Sequence, residues 1–209
     1  MNQARLKHYT DESGVGVSTR ELNSQVGPDP YPSQYVLLWT MRNGNQVTIR
    51  PIRSNDEPMM VKFHESLSDR TVYLRYFTSL SLSRRTAHER LVRICTVDYE
   101  HEMVLVAEHT DPQSGEQQIL AVARLNQLPS DHLPKEAEIA VLVSDGYQRQ
   151  GLGTELLRRL IQIAQDMKIS RLVAEVLWDN LPMQAIFRSL GFQLRIPSEG
   201  PSVEAALDL

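Results

Sequence analysis

The chain is poor in several features, and each shortage excludes a class of protein. Cys95 is the only cysteine in 209 residues, so no intramolecular disulfide and no thiolate metal cluster can form. A reducing, cytoplasmic setting is the expectation that follows. No window reaches the roughly 18 consecutive apolar residues that a spanning helix needs. The opening "MNQARLKHYTDESG" also lacks the apolar core of a secretory leader, so neither membrane insertion nor secretion is expected. Excess positive charge is missing as well. The 22 Lys and Arg against 26 Asp and Glu leave a net charge of -4, which gives no reason to expect a nucleic-acid partner. His64-Glu65, His88-Glu89 and His101-Glu102 all stop short of H-E-x-x-H, so no metal is expected and these histidines read as surface residues. No Gly-Lys-Ser/Thr occurs, which removes the P-loop nucleotidases.

What is present fits one domain with a genuine core, since 41% of the residues are hydrophobic. Residues 1–33 are polar, and "VGPDPYPS" places three prolines and a glycine in eight positions; they read as a flexible arm. The domain is predicted over 34–197, followed by a frayed tail over 198–209. "YVLLWTM" and "QVTIRPI" flank Asn43-Gly44, a strong hairpin signal. Ser54, early acids and Pro58 mark a helix start over "SNDEPMMVKFHESL". "SDRTVYLRYF" and "SRRTAHERLVRI" follow as helices. Ser83 is the expected cap of the second, whose apolar face is Ala87, Leu91 and Ile94. Cys95 falls in the same run and reads as a buried thiol. "EMVLVAEHT", "QILAVARLNQL" and "EAEIAVLVS" then read as three antiparallel strands, with a loop through Pro134 before the third. Leu152, Leu156, Leu160, Ile163 and Met167 form one stripe of a long helix. "RLVAEVL" is a buried strand, "NLPMQAIFRSLGF" a helix stopped at Gly191, and "FQLRI" a last strand.

The long helix has an unusual entrance, "VSDGYQRQGLGTELL". A strand that runs into a helix through glycines leaves the first helical N–H groups unpaired, with the positive end of the helix dipole behind them. Such a turn receives anions, and Gly151 and Gly153 are expected to let a diphosphate reach the backbone without a Cβ in the way. A plain tight turn is the competing reading. A dinucleotide fits poorly, because Leu156 stands where the third glycine of G-x-G-x-x-G belongs and Glu175 falls in mid-strand.

Gln148-Arg149-Gln150-Gly151-Leu152-Gly153 resembles the Q/R-x-x-G-x-G/A signature of the GNAT acetyltransferase superfamily, at the same place between strand and long helix. The resemblance runs from about Val47 to Arg195. Within the superfamily, "SLSDRTVYLRYF", "VDYEHEMVLVA", "AEIAVLV" and "NLPMQAIFRSLGF" look most like the bacterial Pat-type protein lysine acetyltransferases. It implies an α+β fold: a mixed, largely antiparallel sheet of six to seven strands with helices on both faces. It also implies acetyl-CoA as co-substrate, with the pyrophosphate on the backbone of Gln148, Arg149, Gln150, Gly151, Leu152, Gly153 and Thr154. The pantetheine arm would pair with Val141, Leu142 and Val143 as an added strand, and Asn180 would lie near the arm. An N-cap on "LPMQAIF" is the equal alternative for Asn180.

Acyl transfer to an amine needs the neutral amine, and deprotonating a lysine of pKa ~10.4 at neutral pH costs roughly 4 to 5 kcal/mol. Strand alternation puts Glu136 and Glu138 of "EAEIAVLV" on one face, so both are candidate general bases. The Pat-like pattern carries the role to Glu138, with Glu136 second and solvent-facing charge as the bland alternative. Many relatives place a tyrosine acid where this chain has Phe187. Ser189 and Tyr147 are hydroxyls that could substitute, though each also reads as a surface group. Tyr73, Tyr76 and Phe77 read mainly as core and partly as a wall of the acceptor groove. The expected activity is N-acetylation of protein lysines. A small amine such as a polyamine or amino-sugar is the alternative acceptor, and a non-catalytic acyl-CoA sensor is the alternative class.

Overall fold

The computed structural model describes residues 31–129, 135–197 and 200–209. The expected arm over residues 1–30 and the loop through Pro134 lie outside these. A single eight-stranded sheet in the order β1-β2-β3-β4-β5-β6-β8-β7 organises the rest. β1 (Leu37–Thr40) and β2 (Gln46–Pro51) form the predicted hairpin around Asn43 and Gly44, and Gly44 takes the φ of 88° that such a turn needs. β3 (Glu102–Thr110), β4 (Gln117–Gln127) and β5 (Glu136–Val143) continue antiparallel, as expected of three successive strands. β5 and β6 (Arg171–Leu177) are parallel, because helix α5 (Leu152–Asp166) connects them as a crossover.

Alternation along the strands builds two cores. Met103, Leu105 and Ala107 of β3, with Ala137 and Ile139 of β5, meet Leu152, Leu156, Leu160 and Ile163 of α5 and Phe187 of α6 (Leu181–Ser189). Val104, Val106, Ile119 and Leu142 point the other way. They pack against α1 (Glu57–Glu65), α2 (Asp69–Tyr76) and α4 (His88–Cys95) through Met60, Phe63, Val72, Leu91 and Cys95. Helices on both faces of an α+β sheet are what the family resemblance implies. The buried Cys95 thiol also matches its reading, and burial pushes its pKa up to about 11.

Several local expectations are corrected. The tail does not fray: Ser202–Asp208 forms β8, paired along its whole length with β6 and then with β7 (Gln193–Arg195). That strand takes the sheet to eight. Tyr31 to Ser33, assigned to the arm, belong to the folded body; the Tyr31 hydroxyl donates to the Pro51 carbonyl at 2.9 Å. "SRRTAHERLVRI" is two helices, α3 (Leu82–Arg85) and α4. Ser81 rather than Ser83 caps the first, and Ala87 is exposed at the N-cap of the second. Ser54 caps nothing and lies in a 3-10 turn; Asp56 holds this corner by accepting from the Arg53 N–H at 2.7 Å and from the buried Arg50 guanidinium at 2.7 and 2.8 Å. His88 and His101 are exposed and pair with Glu57 and Asp98, but His64 is 1% exposed. On α2 only Thr71 and Val72 are fully buried; Tyr76 is half-buried and packs against the second core, Phe77 is the half-buried C-cap, and Tyr73 is exposed and not a core residue.

Candidate active site

The parallel pair β5–β6 is brief. It holds only Glu136 to Arg171, Ala137 to Leu172 and Glu138 to Val173, after which the strands diverge. β5 stays paired to β4 up to Val143. From Ile139 to Val143 its other edge therefore has no strand partner among the described residues, and although the Val143 carbonyl accepts from Gln148 Nε2, an extended chain fits along it. Glu138 is the last paired residue before the split. It is half-buried, opposite Asn126 on β4 and Val173 on β6. Five residues of strand, about 17 Å, separate it from Val143.

The two acidic candidates are not equivalent. Glu136 shares the Glu138 face, but the Arg171 guanidinium stands 3.8 Å from it and also reaches Asp208 at 3.6 Å. Glu136 thus belongs to a surface charge cluster at the closed end of the pair, whereas Glu138 sits at the opening.

β5 ends at the glycine turn. A 3-10 turn, Asp145–Tyr147, precedes Gln148; Arg149 (φ 62°) and Gly151 (φ 87°) are left-handed, and α5 starts at Leu152. Left-handed residues in such a turn let successive N–H groups converge on an anion. No side chain caps α5, and among the described residues the N–H groups of Leu152, Gly153 and Thr154 have no acceptor. They face outward at the positive end of a 15-residue helix. The glycines act differently from expectation. A Cβ on Gly151 would point inward, 3.3 Å from the Trp39 ring, and one on Gly153 would meet Val143 at 3.5 Å. The backbone conformation requires Gly151, while a Cβ at Gly153 would make only an ordinary contact with β5.

Sequence reasoning missed the supports of this turn. The Arg42 N–H donates to the Gln150 carbonyl at 3.2 Å, and its guanidinium reaches the Arg149 carbonyl at 3.5 Å, so the β1–β2 hairpin braces the strained Arg149. Gln148 Nε2 donates to Thr71 Oγ1 at 3.1 Å and to the Val143 carbonyl at 3.2 Å. Burial raises the pKa of Asp145, but hydrogen bonds from the Ser68 N–H, Ser68 Oγ and Thr71 Oγ1 outweigh that and hold the carboxyl below the usual range. These links cross about 75 positions of sequence, so no local pattern announces them.

Asn180 accepts from the Met183 N–H at 3.3 Å, which is the N-cap reading. Gln184, unremarked in the sequence, ties α6 to the end of β6 through the Leu177 and Trp178 carbonyls. Phe187 is 2% exposed against Phe192 and faces the core, not the split. Ser189 Oγ donates to the Ile186 carbonyl, and the Tyr147 hydroxyl accepts from Gln118, so neither is oriented by the split. Among the described residues one trio, Asp98, Glu100 and His101, brings possible metal-ligand atoms together, and all three are exposed. A groove of about 390 Å³ beside Tyr35 and Asp166 lies at the far end of α5, roughly 20 Å from the turn.

A mixed sheet that parts between two parallel strands, with an anion-receptive turn at the head of the connecting helix, defines a GNAT-fold domain. The family model described as "Acetyltransferase (GNAT) domain" matches residues 46–193, and the chain belongs to that family. It is similar to the acetyltransferase Pat of Mycolicibacterium smegmatis, 32% identical over 151 residues that cover 72% of this chain and 42% of that protein. The chain therefore spans less than half the length of that relative. The acetyltransferase PA5475 of Pseudomonas aeruginosa is 28% identical over 154 residues, covering 73% of this chain and 78% of that protein. Among solved structures, the GNAT domain of S. lividans PAT superposes with a TM-score of 0.74 at 28% identity, over 86% of this chain and 99% of that one.

Proposed function

We propose that the protein is an acetyl-CoA-dependent N-acetyltransferase whose acceptor is a protein lysine and whose general base is Glu138. The observation that carries this reading is the split of β5 from β6 immediately after Glu138, in line with the Gln148 to Thr154 turn. The pyrophosphate of acetyl-CoA would take the outward N–H groups of the turn, including those of Leu152, Gly153 and Thr154. The pantetheine arm would run back along Val141 to Val143, pairing by main-chain hydrogen bonds, and the thioester would then end beside Glu138. Asn180, the cap of α6, follows the end of β6, the strand on the other side of the split, and would lie near the arm.

The chemistry follows from these positions. A lysine ammonium gives one proton to the Glu138 carboxylate, directly or through a water, and becomes nucleophilic. Its nitrogen forms the new C–N bond as the C–S bond of the thioester breaks. The second nitrogen proton passes to the leaving sulfur, giving CoA thiol, and Glu138 returns its proton to solvent. A thiol pKa near ~8.5 makes the thiolate a tolerable leaving group near neutrality. A chain with Phe187 in place of a tyrosine can therefore manage without a dedicated acid.

Resemblance to Pat-type sequences supports a protein acceptor over a polyamine or amino-sugar, while the acidic balance of the chain suits a cationic acceptor of either kind. Mass spectrometry of lysate proteins incubated with labelled acetyl-CoA tests the acceptor. New label on lysines supports the reading, and label confined to small amines replaces it. Glu138→Gln is expected to lower turnover by ~10²-fold or more while acetyl-CoA still raises the melting temperature. Unchanged turnover would remove Glu138 as the base, and stabilisation by NAD or ATP in place of acetyl-CoA would sink the co-substrate assignment.

A further inference from the structure

The links between α2 and the glycine turn go beyond holding two loops together. α2 packs against both β5 and β6, so it lies across the split on the face that carries Glu138. Its N-terminus is capped from two sources. Ser68 Oγ accepts from the Thr71 N–H at 3.2 Å, in the ordinary way. The second cap comes from the turn: Asp145 accepts from the Ser68 N–H at 2.9 Å, from Ser68 Oγ at 2.7 Å and from Thr71 Oγ1 at 2.8 Å. A carboxylate at that place also matches the dipole of α2. Gln148 closes the circuit, since its amide holds Thr71 Oγ1 and the Val143 carbonyl together. One step away, Ser66 Oγ and Ser144 Oγ are 3.0 Å apart.

The structure assigns Asp145 as a positioning residue that, with Thr71 and Gln148, couples occupancy of the turn to the placement of α2 over the reaction centre. This rests on the acetyl-CoA reading of the turn. Each end of the circuit is anchored on a group that acetyl-CoA would engage: Val143 belongs to the strand edge for the arm, and Gln148 opens the pyrophosphate turn. Fixing those two fixes Thr71 and Asp145, and they hold the first turn of α2, the helix that packs on both β5 and β6. Coupling of this kind commonly changes an equilibrium by ~5- to 150-fold.

Hydrogen exchange followed by mass spectrometry, with and without saturating acetyl-CoA, tests this without knowledge of the acceptor. In the wild type, acetyl-CoA is expected to slow exchange in residues 148–154 and, by roughly tenfold, in residues 69–77. In Asp145→Ala the turn is expected to stay protected while α2 loses its response. Thr71→Val keeps the buried shape but removes the shared hydroxyl, and is expected to do the same if Asp145→Ala folds poorly. Asp145→Asn retains an acceptor for the Ser68 N–H and is expected to restore part of the α2 response. Equal protection of α2 in wild type and variants overturns the coupling, as does a wild type in which only the turn responds. A uniform rise in exchange across all helices of the variants also overturns it. No response anywhere in the wild type would overturn the acetyl-CoA reading itself, and the coupling with it.

Discussion

Alanine at Gly151 and at Gly153 should have opposite effects on stability, although both positions belong to one motif. Gly151 sits at φ 87° and ψ -7°, and its added Cβ would lie 3.3 Å from the Trp39 ring. A left-handed alanine costs ~1 to 2 kcal/mol. Trp39 packs against the main core and must shift by a few tenths of an ångström to admit the methyl, so the loss is expected near the top of that range. Gly153 is helical, the second residue of α5, and its Cβ would meet Val143 at an ordinary 3.5 Å. Glycine within a helix costs ~0.5 to 1 kcal/mol relative to alanine, and a place in the first turn puts the gain near the lower value. Urea denaturation of the ligand-free variants therefore should show Gly151→Ala destabilised by about 2 kcal/mol and Gly153→Ala neutral or stabilised by ~0.5 kcal/mol. A Gly153→Ala loss equal to that of Gly151→Ala would refute the assignment of a left-handed backbone to one position and an unstrained helical site with room for a methyl to the other.

Two further expectations concern buried charge. Burial, and then Arg90 and Arg85, lower the His64 pKa from 6.5 to about 4. Below pH 6.5 the unfolded chain binds a proton that the folded one refuses, so this contribution is complete above 6.5 and disappears as pH falls towards 4. The loss from pH 7 to pH 5 is about 2 kcal/mol; His64→Leu should remove that much of the slope in denaturation curves, and an NMR titration of His64 near 6.5 would contradict it. Asp56→Ala should cost about 3 kcal/mol, because it leaves Arg50 buried with only Glu108 and frees the Arg53 N–H; a loss under about 1 kcal/mol in the same assay would mean the pair is no more than a surface bridge.

Local order was legible wherever a period or a punctuating residue wrote it. Asn43-Gly44 placed the hairpin, the 3.6-residue stripe of α5 placed the helix and its buried face, and two-residue alternation put Glu136 and Glu138 together. The motif from Gln148 to Gly153 located the turn itself. "SVEAALD" alternates too, with Val203 and Ala205 in the core, but two modest apolar residues are a weak signal, and the partners that make the segment a strand, β6 and β7 on its two edges, are not written in it. The length of the β5–β6 pairing could not be read from either strand, since neither β5 nor β6, which carries Glu175 there, has a turn or breaker residue at the point of parting. The Pat-like pattern ranks Glu138 above Glu136, but that Arg171 stands beside Glu136, a partner 35 residues away on another strand, could not be read locally.

The sequence by itself determined most of the elements, the position of the glycine turn and the family, because these depend mainly on residues within one or two helical turns of each other. Tertiary structure alone decided which carboxylate stands at the opening, that Asp145 caps a helix some 75 positions away, and that His64 and Arg50 are buried. The physical reason is common to all of these. A charge or hydrogen bond acquires its strength from what excludes water around it and from what it faces across the fold, and neither is a property of neighbouring residues.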